Sequence, residues 1–207
     1  MDERTRLLVR MVSPAVDPSS PTGSMASSTQ PVSRSIGFCT VRFHAEHGFF
    51  GGYLIVNAHA RPLEFHCTLP VKPSRAQSIL YGHTLPDFVC GEQIAKALIT
   101  KAKIVPPLVL TDCTPVLAMN HVSDQLVAWI RTEEHSESVS MIPRQSGTRL
   151  MDVPLGNQVL GLHDSQNHRE QELRSVWQEL DVNIDLTEPF ERIAEALMEA
   201  HPVMKAA

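Results

Sequence analysis

The sequence is poor in aromatic residues and contains no long apolar run. Phe, Trp and Tyr make up 5% of its 207 residues, so a core has to consist mainly of Leu, Ile, Val, Ala and Met. No stretch approaches the roughly 18 to 20 consecutive apolar residues that a membrane-spanning helix needs. The charged start "MDERTRLLVRMV" has too short an apolar run for a secretory signal. We therefore expect neither a membrane segment nor export.

Cysteine is scarce and shows no metal-binding spacing. The chain has four cysteines and no CxxC pair, whereas structural zinc sites use closely spaced Cys and His ligands. The sequence therefore predicts no metal site and no cofactor. Cysteines inside apolar runs behave as small hydrophobic residues, so we expect reduced thiols and a cytoplasmic location.

Nucleotide-binding and nucleophile motifs are also missing, and positive charge is in deficit. There is no Walker loop, GxGxxG or GxSxG. Eighteen Lys and Arg against 23 Asp and Glu give a net charge of -5. Because nucleic-acid affinity depends on neutralising phosphates, we expect no nucleic-acid partner. The acidic excess lies after Asp164, where it is either a solvated helical face or the contact for a protein partner through the acidic C-terminal helices.

The composition predicts four segments. Residues 1–35 are rich in Ser and Pro and are predicted to be a disordered leader, with Met25 as an alternative start. Residues 36–132 are the predicted α/β core domain. Residues 133–157 are polar and patternless, which indicates a mobile loop. Residues 158–201 are the predicted C-terminal helical part, packed on the core.

The pattern of apolar residues predicts an α/β (α+β) fold. Strands at 36–43, 49–58 and 63–71 with short turns indicate an antiparallel three-stranded meander. The Gly51–Gly52 pair indicates a bulge, or a bend where another backbone approaches. Two helices, 74–82 and 91–105, and two further strands, 106–116 and 123–132, complete one mixed sheet.

The C-terminal part predicts one short strand, at 158–162, and two amphipathic helices. The stretches "HREQELRSVWQEL" and "TEPFERIAEALMEAH" repeat their apolar residues at helical spacing. These two helices are the most strongly patterned elements in the sequence.

The stretch "RPLEFHCTLP", residues 61–70, holds three chemically versatile side chains: Glu64, His66 and Cys67. Strand side chains alternate between faces, so Cys67 points into the core with Phe65 and Leu69. Glu64 and His66 share the other face. If that face is solvated, they are an ordinary surface pair. If it is covered, both groups are desolvated and have perturbed pKa values, which is typical of functional sites.

Asp112 follows the apolar run "LVLT" at the end of a predicted buried strand. Open α/β sheets place catalytic and ligand-binding groups at such strand ends. The alternative is that the carboxylate of Asp112 caps the following turn as an Asx turn.

Three antiparallel strands, a helix and a strand ending in Asp112 are loosely similar, over residues 36–116, to the ribonuclease H-like fold. Members of that class place an acid on the first strand, and "IGFCTVRF" has none. The resemblance implies an alternative function as a metal-dependent hydrolase. Glu64 and Asp112 would be metal ligands, and His66 a ligand or general base.

A basic and aromatic stretch, "PVKPSRAQSILYGHTL", carries Lys72, Arg75, Tyr81 and His83. A helix starting near Ser74 could hold an anion there, or these can be ordinary surface residues. Our leading hypothesis is a non-catalytic binding or regulatory α/β domain, with the hydrolase as its rival.

Overall fold

The computed structural model describes Leu7–Leu8 and residues 35–131, 149–180 and 185–201. Met25, most of the predicted leader and most of the predicted loop lie outside these ranges. Most of the described residues of the predicted leader and of the predicted loop form strands, which corrects both predictions at these positions. Leu7–Leu8 form a short strand, Ser35 begins the next one, and Leu150–Leu155 form a strand inside the predicted loop.

The described residues form one mixed sheet, which confirms the α/β prediction. It has seven strands of three or more residues, rather than five, with a two-residue strand at one edge. The spatial order is β1-β4-β3-β2-β5-β6-β8-β7. The strands are β1 Leu7–Leu8, β2 Ser35–His44, β3 Gly48–Asn57, β4 Pro62–Thr68, β5 Val109–Thr111, β6 Val127–Ile130, β7 Leu150–Leu155 and β8 Gln158–His163.

The sheet combines antiparallel outer parts with a parallel centre. Strands β2, β3 and β4 form the predicted antiparallel meander. Strand β5 pairs in parallel with both β2 and β6, whereas β8 is antiparallel to β6 and β7. The carboxyl ends of β2, β5 and β6 therefore meet at one edge of the sheet.

Helices connect the strands and cover both faces. The α-helices are α1 Arg75–Tyr81, α2 Lys96–Lys101, α3 Glu170–Leu180 and α4 Glu188–Ala200. A π-helical segment, Asp87–Ala95, runs directly into α2. A 3-10 helix, Thr114–His121, connects β5 to β6, and a second, Asp164–Arg169, leads into α3.

Several predicted boundaries move. The helix expected at 91–105 begins at Asp87 and ends at Lys101. The strand expected at 106–116 shrinks to Val109–Thr111. Proline has no N–H group to donate to a ladder, so Pro106 and Pro107 do not extend the strand. Pro115 lies in the first turn of the 3-10 helix that follows.

Two hydrophobic layers enclose the sheet. On one side, called the α4 face, Phe38, Phe50 and Leu110 pack with residues of α3 and α4. On the other, called the α2 face, Tyr53 and Ile55 pack with the π-helical segment, α2 and the Thr114–His121 helix. Burial on both faces explains why the central strands are almost continuously apolar.

Gly51 and Gly52 let helices approach β3 from both sides. A Cβ at Gly51 would lie 2.1 Å from Cγ2 of Ile94, on the α2 face. A Cβ at Gly52 would lie 2.3 Å from Cγ2 of Ile193, on the α4 face. The register irregularity of this strand lies at Ile55/Val56 rather than at the glycines. The predicted close approach is therefore made by helix side chains, and the predicted bulge lies elsewhere.

Adding one methyl group at either glycine should destabilise the fold. We expect Gly51→Ala and Gly52→Ala each to lower the free energy of unfolding by about 1–3 kcal/mol, the usual cost of overpacking a dense core. Urea unfolding followed by circular dichroism measures this.

Gly161→Ala is the graded control for this experiment. Gly161 is also a strand glycine, but the nearest atom to an added Cβ is a Trp129 ring carbon at 3.0 Å. Its loss of stability should be smaller than that of either β3 variant. A Gly51→Ala protein as stable as the wild type would contradict the proposed packing.

Candidate functional site

The Glu64/His66 pair is covered by helix α2. Both carboxylate oxygens of Glu64 are hydrogen-bonded, whereas the buried Nδ1 of His66 has no hydrogen-bond partner among the described residues. The carboxylate Oε1 of Glu64 lies 2.6 Å from Nε2 of His66, and their side chains are only 9% and 4% exposed. The backbone N–H groups of Lys103 and Ile104, just after α2, also donate to Glu64, at 2.9–3.1 Å. This carboxylate therefore ties the end of α2 to β4.

The electrostatics of Glu64 fit that structural role. Burial alone would raise its pKa, but the N–H groups of Lys103 and Ile104 and the His66 ring outweigh burial and lower the pKa below its usual 4.5. A carboxylate that stays ionised and already accepts hydrogen bonds from three partners has little capacity left for a substrate or metal ion.

Cys67 belongs to the core layer of the α4 face, with Phe65 packed against that layer, as predicted.

Asp112 is held in an ion pair at the carboxyl edge of the parallel strands. Its Oδ2 accepts from Arg42 at 2.7 Å, and its Oδ1 accepts from the Thr40 hydroxyl at 2.5 Å. The ion-paired side chains of Arg42 and Asp112 are 14% and 7% exposed. The turn after β5 is capped by Thr111, whose hydroxyl accepts from the N–H of Cys113 at 3.1 Å. Asp112 therefore does not cap this turn as an Asx turn. Its carboxylate forms an ion pair with Arg42 instead.

The structure does not bring Glu64, His66 and Asp112 together. Glu64 aligns through Ile55 and Gly37 with Val109, three residues before Asp112. Three strand spacings alone amount to roughly 14 Å. Glu64 and His66 lie on the α2 face, whereas Asp112 bonds to Thr40 and Arg42, which alternate onto the α4 face. A single hydrolytic centre of these three residues is not formed here.

The predicted basic and aromatic patch is divided between the two ends of α1. Lys72 Nζ donates to the carbonyl of Glu46 at 2.9 Å, in the turn between β2 and β3. Arg75 lies exposed at the start of α1, which has only seven residues and is capped by its own Ser74–Gln77 capping box. Tyr81 and His83 lie at the opposite end of α1, beside a pocket.

This pocket is the candidate functional site. Its volume is about 210 Å³. It lies between the end of α1, the π-helical segment, the Thr114–His121 helix and the end of β8. We call it the His163 pocket, and its lining residues are Tyr81, Thr84, Asp87, Phe88, Glu92, Thr114, Ala118, His121 and His163.

The π-helical geometry places both acids of the pocket on one side. Asp87 and Glu92 are five residues apart, and a π-helix bonds residue i to i+5, so both side chains reach the same cavity. The helix predicted from the sequence begins at residue 91 and does not include Asp87. At α-helical spacing the two side chains would also point in different directions. This is why the sequence did not reveal them as a pair.

Gly91 brings the walls of the pocket together. A Cβ at this position would lie 2.8 Å from the Ala118 Cβ and from the Pro115 carbonyl oxygen. Only glycine allows the π-helical segment and the Thr114–His121 helix to approach so closely. Above this contact, the rings of Tyr81 and Phe88 stack with centroids 4.0 Å apart and form an aromatic wall.

Two titratable groups of the pocket have pKa values shifted in opposite directions. Burial raises the pKa of Asp87. Nearby His121 opposes that rise and the Glu92 carboxylate adds to it. Burial and neighbouring His121 lower the pKa of His163. Oppositely shifted acids and bases in one pocket are a typical feature of functional sites.

The hydrogen bonds of His163 fix its tautomer. Its Nδ1 accepts the backbone N–H of Ser165 at 3.2 Å, so the neutral ring carries its proton on Nε2. The ring of His121 packs edge-on against it, with centroids 5.3 Å apart. Neither histidine belongs to a local sequence motif, because 42 positions separate them and only the fold brings them together.

Metal binding and membrane insertion find no support in the described residues. Within residues 7–8, 35–131, 149–180 and 185–201, no group of three or more His, Cys, Asp or Glu side chains is placed to hold a metal ion. Within the same ranges, no helix combines the length and apolar character needed to cross a membrane.

Comparisons with known proteins show little similarity. No protein family matches the sequence, and no curated protein is similar to it. Among solved structures, the chain is similar to an endonuclease V from Ciona intestinalis in complex with a 23mer DNA that contains an inosine followed by a ribo-adenosine. The identity is 12% and the TM-score 0.32. The match covers 61% of this chain and 62% of the endonuclease.

The partner prediction is corrected by this finding. The similar solved structure holds DNA, whereas the net charge led us to expect no nucleic-acid partner, and we do not retain that exclusion. The likeness is too low to assign DNA binding to this chain. The apolar residues Leu173, Phe190 and Leu197 of the C-terminal helices are buried in the core, so the expected protein contact through these helices, which stays a prediction, would have to use their acidic residues. Several of their charges are already paired within the helices.

The Arg42–Asp112 pair should act as a structural unit. We expect Asp112→Ala and Arg42→Ala each to lower the free energy of unfolding by about 3 kcal/mol, because each leaves a buried charge unpaired. The double variant should lose clearly less than the sum of the two. Chemical denaturation of the wild type, the two single variants and the double variant gives the coupling free energy between the two side chains.

The Arg174–Glu170 pair provides a matched control, since both of its side chains are 39% exposed. A cycle on this helix pair should show a coupling of only about 0.5 kcal/mol. Equal couplings for the two pairs would show that Asp112 is not held as described.

Glu64 should make stability depend on pH. Its folded pKa is lowered below 4.5, so its contribution is complete above that value and is lost as pH falls through the folded pKa. We expect Glu64→Gln to lower stability at pH 7 by about 1–3 kcal/mol. The difference from the wild type should narrow as the pH falls below 4.5.

Thermal melts from pH 7 to pH 3 measure this narrowing. Glu195→Gln, at an exposed position of α4, is the control for removing a carboxylate. A constant difference between Glu64→Gln and the wild type across this range would rule out the assigned role of the Glu64 carboxylate.

Proposed function

We propose that the protein is a non-catalytic binding domain of the α/β class, and that its ligand is a small molecule held in the His163 pocket. One observation carries the proposal. Two carboxylates, two histidines and two aromatic rings from four separate elements converge on one cavity. Such a pocket, mostly preformed and with a few convergent polar groups, is typical of ligand sites.

The other candidate residues already have partners within the protein, which favours a binding function over hydrolysis. Glu64 is committed to the end of α2 and to His66. Asp112 is committed to Arg42 and Thr40. The thiol of Cys90 is a poor nucleophile, because its hydrogen bond to Cys113 and its burial raise its pKa well above the ordinary value.

The size of the pocket limits the ligand. Pockets for drug-sized molecules usually measure about 300–1,000 Å³, and this one measures about 210 Å³. The ligand therefore has to be smaller than a nucleotide or a typical drug. A regulatory role would follow if such a ligand stabilises the contact between the π-helical segment and the Thr114–His121 helix.

A cytoplasmic location remains part of the proposal. All four cysteines are buried and free. Free thiols persist in reducing compartments, and this observation supports the assignment.

Filling the pocket should weaken ligand binding. Thr84 lies exposed at the rim, so Thr84→Trp can fill the cavity without disturbing the core. We would titrate the ¹⁵N-labelled protein with choline, acetate, glycerol and glucose and follow the amide signals. At least one probe should shift Thr114, Ala118 and His121 saturably. Thr84→Trp should weaken that binding about tenfold or more, because the indole ring takes the ligand's space and the ligand then loses at least one polar contact.

Ser78→Trp is the matched control, because Ser78 lies exposed on α1 and does not line the pocket. It should leave binding unchanged. The proposal is wrong if no probe binds, or if every probe that binds does so equally well after Thr84→Trp. Chemical conversion of a bound probe would disprove its non-catalytic part.

A further inference from the structure

The His163 pocket has the charge of a cation site. Asp87 and Glu92 supply two carboxylates, and none of its nine lining residues is Lys or Arg. Of the two histidines, His163 has a lowered pKa, which favours its neutral form, whereas His121 acts against burial to lower the pKa of Asp87 and so offsets part of the acidic charge. Asp87 is half buried, and partial removal from water strengthens its attraction for a positive group.

The aromatic wall favours an organic cation over a metal ion. Tyr81 and Phe88 stack on each other at 4.0 Å and both line the cavity beside the two acids. Because the two rings stack on each other, one face of each is covered, and only the other face can attract an ammonium group, within about 6 Å and more strongly as the cation loses its water. Ring carbons offer no ligand to a divalent metal ion, which requires converging oxygen or nitrogen donors.

His163, which also lines the pocket, adds a second requirement. Its Nδ1 is occupied by the N–H of Ser165 at 3.2 Å and by the Ser165 hydroxyl at 2.8 Å. Nε2–H is therefore the group of this ring that remains to serve a ligand, and it is a donor. The matching ligand atom is a hydrogen-bond acceptor, such as a hydroxyl oxygen.

Resting on the proposed binding function, we propose that the His163 pocket selects a small organic ammonium ion that also carries a hydrogen-bond acceptor, as in an amino alcohol. The ammonium group lies between the carboxylates of Asp87 and Glu92, against the Tyr81–Phe88 wall. The acceptor oxygen accepts a hydrogen bond from Nε2–H of His163. Three walls of the pocket thus recognise two ends of one small molecule.

Three probes of nearly equal shape separate these contributions. Choline has the charge and the hydroxyl group. In 3,3-dimethylbutan-1-ol a carbon replaces the nitrogen, which removes only the charge. In propyltrimethylammonium a methyl group replaces the hydroxyl. We expect choline to bind about tenfold or more tightly than the neutral alcohol, since contacts to charged groups contribute most. Propyltrimethylammonium should bind more weakly than choline, and isothermal titration calorimetry gives the three Kd values.

Two isosteric substitutions test the assigned residues. Asp87→Asn and Glu92→Gln should each weaken choline binding severalfold and leave the weak binding of the neutral alcohol unchanged. Using both keeps the test valid if one variant does not fold. Asp152→Asn, at an exposed position of β7 outside the pocket, should behave like the wild type.

The outcomes distinguish the two proposals. If the neutral alcohol binds as tightly as choline and Thr84→Trp blocks both, the ammonium inference fails while the binding function stands. The same holds if choline does not bind but acetate or glucose fills the pocket. If choline binds and neither Thr84→Trp nor Asp87→Asn affects it, choline binds elsewhere and the inference fails. If no probe enters the pocket, both proposals fail.

Discussion

Two adjacent glycines in β3 determine how closely the helices can pack on the two faces of the sheet. The side chains of Gly51 and Gly52 would point to opposite faces of the sheet, and on each face a helix side chain takes the space that a Cβ would need. Ile94 fills it on the α2 face and Ile193 on the α4 face. Both helical layers thus lie at contact distance from one central strand, and the two hydrophobic layers that hold them there depend on this approach.

The His163 pocket follows from the same packing. Because Ile94 fits over Gly51, the π-helical segment is fixed on the sheet, and Gly91 of that segment admits the Thr114–His121 helix. The two helical pieces touch at their base, and their outer parts leave the cavity into which Asp87, Glu92 and His121 project. A site whose helical walls pack on a dense core is largely shaped before a ligand arrives.

The sequence predicted those features that depend on local spacing. The three strands of the meander and helix α4 follow from alternation and from helical periodicity, which are properties of neighbouring residues. Strand alternation likewise separated Cys67 from Glu64 and His66. The pocket could not be found in this way, because Asp87 and Glu92 meet only through π-helical geometry, and His121 and His163 only through the sheet order. The two backbone partners of Glu64 lie 39 and 40 residues away, at the end of another helix.

The Arg42–Asp112 pair explains why the candidate site is not where α/β proteins commonly have one. The carboxyl ends of parallel strands usually carry the functional groups, and Asp112 is at such an end. Here the first parallel strand supplies its own cation, Arg42, and the hydroxyl of Thr40 occupies the second carboxylate oxygen. An acid neutralised by a fixed guanidinium has no need of a bound metal ion, and removing the guanidinium would leave a buried charge. Arg42 and Thr40 therefore already occupy the Asp112 carboxylate at this edge. The polar cavity lies instead between the helices of the α2 face.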